Sequence, residues 1–135
     1  VNQNLGVNQN VASFVIPVGA TINMDGTAIM QGLATVFIAQ MSGIDLTLFQ
    51  YVQVVLLAVA TSIGTAAVPS AGTITLIIIL QQFNLPLEAI GIILAVDRVL
   101  DMIRTSVNVT GDAAIACIVA RTENQFDENI FYSKV

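Results

Sequence analysis

A row of charged and amide side chains runs through the last apolar segment of the chain, and it restricts the possible folds more than any other feature. Asp97, Asp101, Arg104, Asn108 and Asp112 are spaced 4, 3, 4 and 4 residues apart within the stretch from Leu87 to Ala120. On a helix that turns by about 100° per residue, the five fall within an arc of roughly 80°. The solvent such a helix meets is decided by composition. Hydrophobic residues make up 56% of the chain and charged residues 10%, against about 25% charged in a typical soluble protein. A surface with so few charges would aggregate in water, so lipid is the expected solvent. An ionisable group at membrane depth costs at least ~2.5–3.5 kcal/mol on insertion scales. A one-sided row of four must therefore face protein, ions or water.

Several function classes drop out on residue counts. The net charge of −5 is uninformative, because Arg121, Glu123, Asp127, Glu128 and Lys134 sit together in a polar tail, residues 123–135 and the helix end before it. Only four residues are Lys or Arg, and no basic patch suggests nucleic-acid binding. Cys117 is the single cysteine and histidine is absent, which excludes an internal disulfide, histidine-based catalysis and His-ligated zinc. Residues 1–10 are rich in Asn and Gln, with neither an initiator Met nor a signal-peptide layout. They are expected to be a connector from an N-terminal part not included in the chain.

The expected fold is an all-α membrane protein with three elements: a broken transmembrane helix over 11–42, a re-entrant helical hairpin over 49–84, and a long polar-faced transmembrane helix over 87–121. The first stretch is long enough to span a bilayer, but Asn23-Met24-Asp25-Gly26-Thr27 interrupts it. These residues favour local turns over helix, so two half-helices with an unwound joint are expected. In the second, apolar arms from Phe49 to Thr61 and from Thr73 to Phe83 flank a tip of small residues, Ser62 to Gly72. Arms this short with a Gly/Ser/Pro turn predict a hairpin that enters and leaves by one face; a single kinked span is the alternative.

Residue types then suggest the chemistry. The planar fork of Arg104 can grip a carboxylate at two points. Asp101, one turn away, can accept an ammonium group, so a site with both suits an acidic amino acid. Asp112 and Asp25 are hard oxygen ligands which, with backbone carbonyls freed at an unwound joint, suit Na⁺. Helix N-termini at the tip offer N–H groups to an anion. No nucleophile with a nearby base is legible, so the chain is not read as an enzyme. A channel would also use polar rows and re-entrant loops.

Three blocks in order carry a resemblance to a known family: Asn23-Met24-Asp25-Gly26-Thr27; the tip from Ser62-Ile63-Gly64-Thr65 to Val68-Pro69-Ser70-Ala71-Gly72; and Asp97-x3-Asp101-x2-Arg104-Thr105-x2-Asn108-Val109-x-Gly111-Asp112. In these the chain resembles the glutamate/aspartate transporters, the dicarboxylate/amino acid:cation symporters, over about residues 11–122. The resemblance implies the C-terminal part of a transport domain, with the family's unwound seventh helix, outer hairpin and eighth helix. It implies a substrate pocket of Thr27, Val68, Gly72, Asp101, Arg104, Thr105 and Asn108. Arg104 would bind the side-chain carboxylate, Asp101 the amino group and Asn108 the main-chain carboxylate. Three sodium sites are implied: one from Asp112 with Gly19, Asn23 and Asn108; one from Thr21, Ser62, Ile63 and Thr65; and one from Asp25 and Asn23. The coupling ion is Na⁺, with no organic cofactor. Family members are trimers that move by an elevator mechanism in the plasma (inner) membrane, the C-terminus cytoplasmic. Met102 stands where animal members carry a second arginine, which leans toward a prokaryotic-type member. Sodium-coupled symport of aspartate and glutamate is thus the expectation. Proton coupling is the alternative, and a channel or structural membrane domain the reading of a different class.

Overall fold

A computed structural model describes residues 1–65, 68 and 70–133. Ala66, Ala67 and Pro69 of the expected tip, and Lys134 of the tail, lie outside the described residues. The described chain is helical: α1 (Asn2–Leu5), α2 (Gln9–Ile22), α3 (Asp25–Met41), α4 (Leu48–Ile63), α5 (Ala71–Gln82), a 3-10 turn at Leu87–Ala89, α6 (Ile90–Thr122) and α7 (Glu128–Tyr132). The all-α expectation is met, and the β-structure among the described residues is an isolated antiparallel bridge between Val7 and Phe126.

Helix boundaries fall where side-chain chemistry puts them. α2 stops at Ile22 and α3 starts at Asp25, with Asn23 and Met24 in non-helical conformations between them. Asp25 then lies in the first turn of α3, where a carboxylate is favoured by the helix dipole. A capping box starts α4: the Thr47 hydroxyl accepts from the Gln50 N–H, and the Gln50 side chain accepts from the Thr47 N–H at 2.8 Å. Asn84, with φ +52°, and Pro86 separate α5 from the turn that leads into α6.

The packing of α6 departs from that of an amphipathic helix in a water-soluble protein. The buried face of α6 consists of Ile90, Ile93, Asp97, Arg104, Asp112, Ala116 and Ala120. The outward face carries Val99, Met102, Ile103, Val109 and Ile118, each more than half exposed. Asp97, Arg104 and Asp112 are thus inside, while large apolar side chains lie outside beside the exposed Arg98, Ser106 and Thr110. Two apolar clusters close off the ends. Ile38, Leu76, Leu80, Leu85 and Ile93 join α3 and α5 to the start of α6; Val7, Val11, Ala116 and Ala120 pack at its far end.

No helix among the described residues is long and apolar enough to cross a membrane. The interruptions leave α2, α3, α4 and α5 with 14, 17, 16 and 12 residues. The 33 residues of α6 include the charged row. Residues 1–10, expected as a connector, pack against the tail. The Asn8 N–H donates to the Gln125 carbonyl at 3.0 Å and the Asp127 N–H to the Gly6 carbonyl at 2.7 Å. Gly6 has φ +68°, and a Cβ there would run into the Asp127 carbonyl, so a residue without a side chain is required.

Candidate functional site

Arg104 is 6% exposed. Its burial follows from its place in the row: every third or fourth residue of α6 turns inward, and position 104 meets α3 and the start of α5. Both neighbours present a glycine. A Cβ on Gly26 would overlap the Arg104 backbone, and one on Gly72 would overlap its guanidinium. The guanidinium Nη2 donates to the Asp101 carboxylate three residues earlier. Nη1 is buried and has no hydrogen-bond partner among the described residues. A buried cationic N–H left unpaired is costly and marks a place where an acceptor belongs.

The space before Arg104 is a cavity of about 280 Å³ whose lining includes Thr27, Val68, Asp101, Thr105, Asn108 and Asp112. Six of the seven residues expected in the substrate pocket line it, Arg104 included, and the seventh, Gly72, abuts the guanidinium. Asn108 also holds the joint between α2 and α3. Its Oδ1 accepts from the Gly26 N–H at 2.8 Å, and its Nδ2 faces the Met24 sulfur at 3.3 Å. Arg104 also borders a neighbouring cavity of about 270 Å³, whose other side chains, from α3 and α6 and including Ile29, Leu33, Phe37 and Val107, are apolar. Beyond Arg104, that cavity offers little to orient a polar molecule.

The expected cation ligands separate into groups. Asp112, Gly19 and Asn23 come together: the Asn23 amide donates to Asp112 Oδ1 at 3.0 Å, and a Cβ on Gly19 would overlap that carboxylate. Asn108 is one turn back along α6. Ser62, Ile63 and Thr65 gather at the end of α4, where Ser62 and Thr65 are each 3% exposed. Thr21 lies on the exposed end of α2 and donates to the Pro17 carbonyl. Asp25 and Asn23 diverge. Asp25 is exposed and lines a shallow cleft with Ser106, Thr110 and Gly111, whereas the Asn23 side chain turns to Asp112. Among the described residues no three of Asp, Glu, His and Cys gather as a metal-binding group.

Two features of the site escape the sequence reading. Gln31 is fully buried on α3 and ties it to both arms of the second unit. Its Nε2 donates to the Gly72 carbonyl at 3.0 Å and to Thr75 Oγ1 at 2.6 Å, and its Oε1 accepts from the Thr61 hydroxyl at 2.8 Å. The available signal was a lone amide in an apolar helix. The second is the partner of Asp97, which has no assigned role in the row. Its carboxylate accepts from the Ser70 hydroxyl at 2.6 Å and the Thr73 hydroxyl at 2.5 Å.

A buried arginine thus borders a cavity together with Thr27, Asp101, Thr105, Asn108 and Asp112, on a helix whose outward face carries large apolar side chains. Residues 1–122 match the sodium:dicarboxylate symporter family, and the chain belongs to that family. It is thus a member of a family of transporters, not of enzymes. An excitatory amino acid transporter of Onchocerca volvulus is 52% identical over 119 residues, covering 88% of this chain and 24% of that protein. One of Caenorhabditis elegans gives the same figures, and human excitatory amino acid transporter 2 is 51% identical over 88% of this chain and 21% of its own length. The chain therefore spans about a quarter of the relatives it matches. These three relatives are animal proteins, so they lend no support to the prokaryotic lean read from Met102.

Proposed function

We propose that the full-length protein is a secondary active transporter that couples uptake of aspartate and glutamate to sodium. The observation that carries this is the Arg104 guanidinium: buried, with Nη2 on Asp101 and Nη1 unpaired beside Gly72, in a side chain that borders a cavity shared with Asp101, Thr105 and Asn108. A substrate side-chain carboxylate supplies the missing acceptor in a charge-assisted pair. Asp101 receives the substrate ammonium group. Thr27, Thr105 and Asn108 orient the rest, with backbone at Val68 and Gly72 bordering the pocket. Asp112 with oxygen atoms near Gly19, Asn23 and Asn108 suits one Na⁺, and the end of α4 (Ser62, Ile63, Thr65) with Thr21 suits a second. Asp25 contributes to a third with Asn23, after the rearrangement that their present divergence requires. A bound cation beside Asp112 and an anion at Arg104 neutralise one another's fields, the physical basis of coupling.

In this reading α2 and α3 form a broken transmembrane helix, α4 and α5 a re-entrant hairpin, and α6 a transmembrane helix whose polar face looks inward. Residues 11–122 are the C-terminal part of the transport domain and 123–135 a cytoplasmic tail. The outward apolar side chains of α4 and α6 face lipid or the remainder of the protein. The resemblance supports a homotrimer in the plasma (inner) membrane working by an elevator mechanism.

The test is uptake of labelled aspartate by the full-length protein in proteoliposomes. Concentrative uptake that requires an inward sodium gradient is expected. Uptake that ignores sodium and follows a pH gradient would establish proton coupling instead, and equilibration without accumulation a passive pore. Replacing Arg104 with Cys removes the fork, so aspartate uptake is expected to fall by at least ~100-fold, the scale of a buried charge pair left with one partner. Unchanged aspartate affinity would overturn the assignment.

A further inference from the structure

Asp97 is 5% exposed, and no part of the proposed transport cycle uses it. Both of its carboxylate oxygens are occupied by hydroxyls from the start of α5: Oδ2 by Ser70 and Oδ1 by Thr73. Ser70 is the N-cap of α5, a position where serine ordinarily accepts a hydrogen bond from the first turn of its own helix. Here it makes no such cap. The hydroxyl is directed to Asp97 instead, and the backbone at Ser70 is held at φ +62°, a left-handed conformation uncommon for a residue with a side chain. A hydrogen bond to a buried carboxylate is strong enough to offset that strain.

The turn held in this way adjoins the binding cavity. Gly72 lies between Ser70 and Thr73. A Cβ on it would overlap the Arg104 guanidinium and lie 3.0 Å from Thr27 Cγ2. Its carbonyl accepts from Gln31 at 3.0 Å. The position of this turn therefore sets how much room the guanidinium has. We propose that Asp97, through Ser70 and Thr73, is a positioning residue that fixes the start of α5 against Arg104 and thereby sets the affinity of the cavity for its acidic substrate. This rests on the transport reading above. Asp97 does not line the cavity, so it acts on affinity and leaves the maximal rate largely intact.

The test uses near-isosteric changes in the full-length protein in proteoliposomes. Thr73→Val deletes the hydroxyl while keeping the shape. We expect it to raise the half-saturating aspartate concentration by about tenfold, the loss expected for one hydrogen bond to a charged group, with the maximal rate within about twofold of wild type. Thr73→Ser, which restores the hydroxyl, is expected to return half-saturation to within about twofold of wild type on the same grounds. An unchanged half-saturation in Thr73→Val, a fall in maximal rate alone, or failure of Thr73→Ser to rescue would overturn the proposal. If wild-type protein accumulates no acidic amino acid, the transport reading fails separately. The contact is then read from thermal unfolding of Thr73→Val, Asp97→Asn and the double variant. Shifts that overlap rather than add support the positioning contact, and fully additive shifts overturn it.

Discussion

The two interruptions in this fold dock on one helix, at opposite ends of the same polar row, and they do so with different chemistry. The joint between α2 and α3 is held at the Asn108–Asp112 end, through the Gly26 backbone N–H and the Asn23 side-chain amide. The turn that starts α5 is held at the Asp97 end, through two side-chain hydroxyls. Arg104 lies between, in close approach to a glycine from each. The joint is secured partly by main chain, whose position is tied to two helices. The turn is secured by those two hydroxyls and by the Gln31 amide on the Gly72 carbonyl, but what it approaches is the end of the Arg104 side chain, whereas Gly26 of the joint approaches the Arg104 backbone. The difference points to the joint as the fixed side of the cavity and the start of α5 as the adjustable side.

The sharpest way to break this comparison is to place a methyl group at each glycine. At Gly26 the new Cβ meets the Arg104 backbone, with Cα at 3.0 Å and the carbonyl carbon at 3.1 Å. Backbone cannot step aside, so α3 and α6 must separate. Gly26→Ala is expected to cost about 3 kcal/mol, the upper range for overpacking. At Gly72 the Cβ meets the end of the Arg104 side chain and Thr27 Cγ2, groups that can shift. Gly72→Ala is expected to cost about 1 kcal/mol in stability, while aspartate affinity falls steeply because the guanidinium is displaced. Thermal unfolding and uptake measured on both variants check this; equal destabilisation by the two would dissolve the distinction between fixed and adjustable sides.

A smaller effect is expected at Gln31, which links the two regions. Gln31→Leu removes every bond between this side chain and Thr61, Gly72 and Thr75. The threonine hydroxyls keep alternative acceptors, Thr61 on the Leu57 carbonyl at 2.8 Å and Thr75 on the Ala71 carbonyl at 3.2 Å. The cost should therefore lie near the low end for broken buried polar contacts, about 1–2 kcal/mol. It should be accompanied by faster hydrogen exchange at the start of α5 than in α3, since the first turn of α5 loses its second anchor. Equal exchange in both helices would argue that Asp97 alone holds the turn.

Much of this was legible in the sequence, for local reasons. The helix ends at the joint follow from Asn23 to Gly26, and the shared face of Asp101, Arg104, Asn108 and Asp112 follows from spacings of three and four. What was not legible depends on contacts between residues far apart in the chain. Asn23 reaches Asp112 across 89 positions, Gln31 reaches Gly72 across 41, and Ser70 reaches Asp97 across 27. No local pattern encodes which hydroxyl will find a given carboxylate, so Asp97 stood in the row without a partner. The antiparallel bridge between Val7 and Phe126 was hidden for the same reason. A polar stretch of Asn and Gln reads as loose until the surface it covers is known.

The smallest change in stability is expected at Asp112, and it separates holding the joint from binding a cation. The Asn23 amide donates to Asp112 Oδ1 at 3.0 Å. Asparagine at 112 keeps a carbonyl oxygen able to accept that bond, so the joint survives with a neutral in place of a charge-assisted contact. Asp112→Asn should therefore change stability by only about 0.5–1 kcal/mol. The negative charge is lost outright, and Na⁺ gains little from a neutral amide where it had a carboxylate. The sodium concentration for half-maximal uptake should rise by about tenfold or more, on the scale of one charge interaction at a partly buried site. Unfolding and sodium titration on the same preparation read both quantities. A large loss of stability with unchanged sodium dependence would make Asp112 a structural anchor of the joint, and would move the cation-binding role to the end of α4.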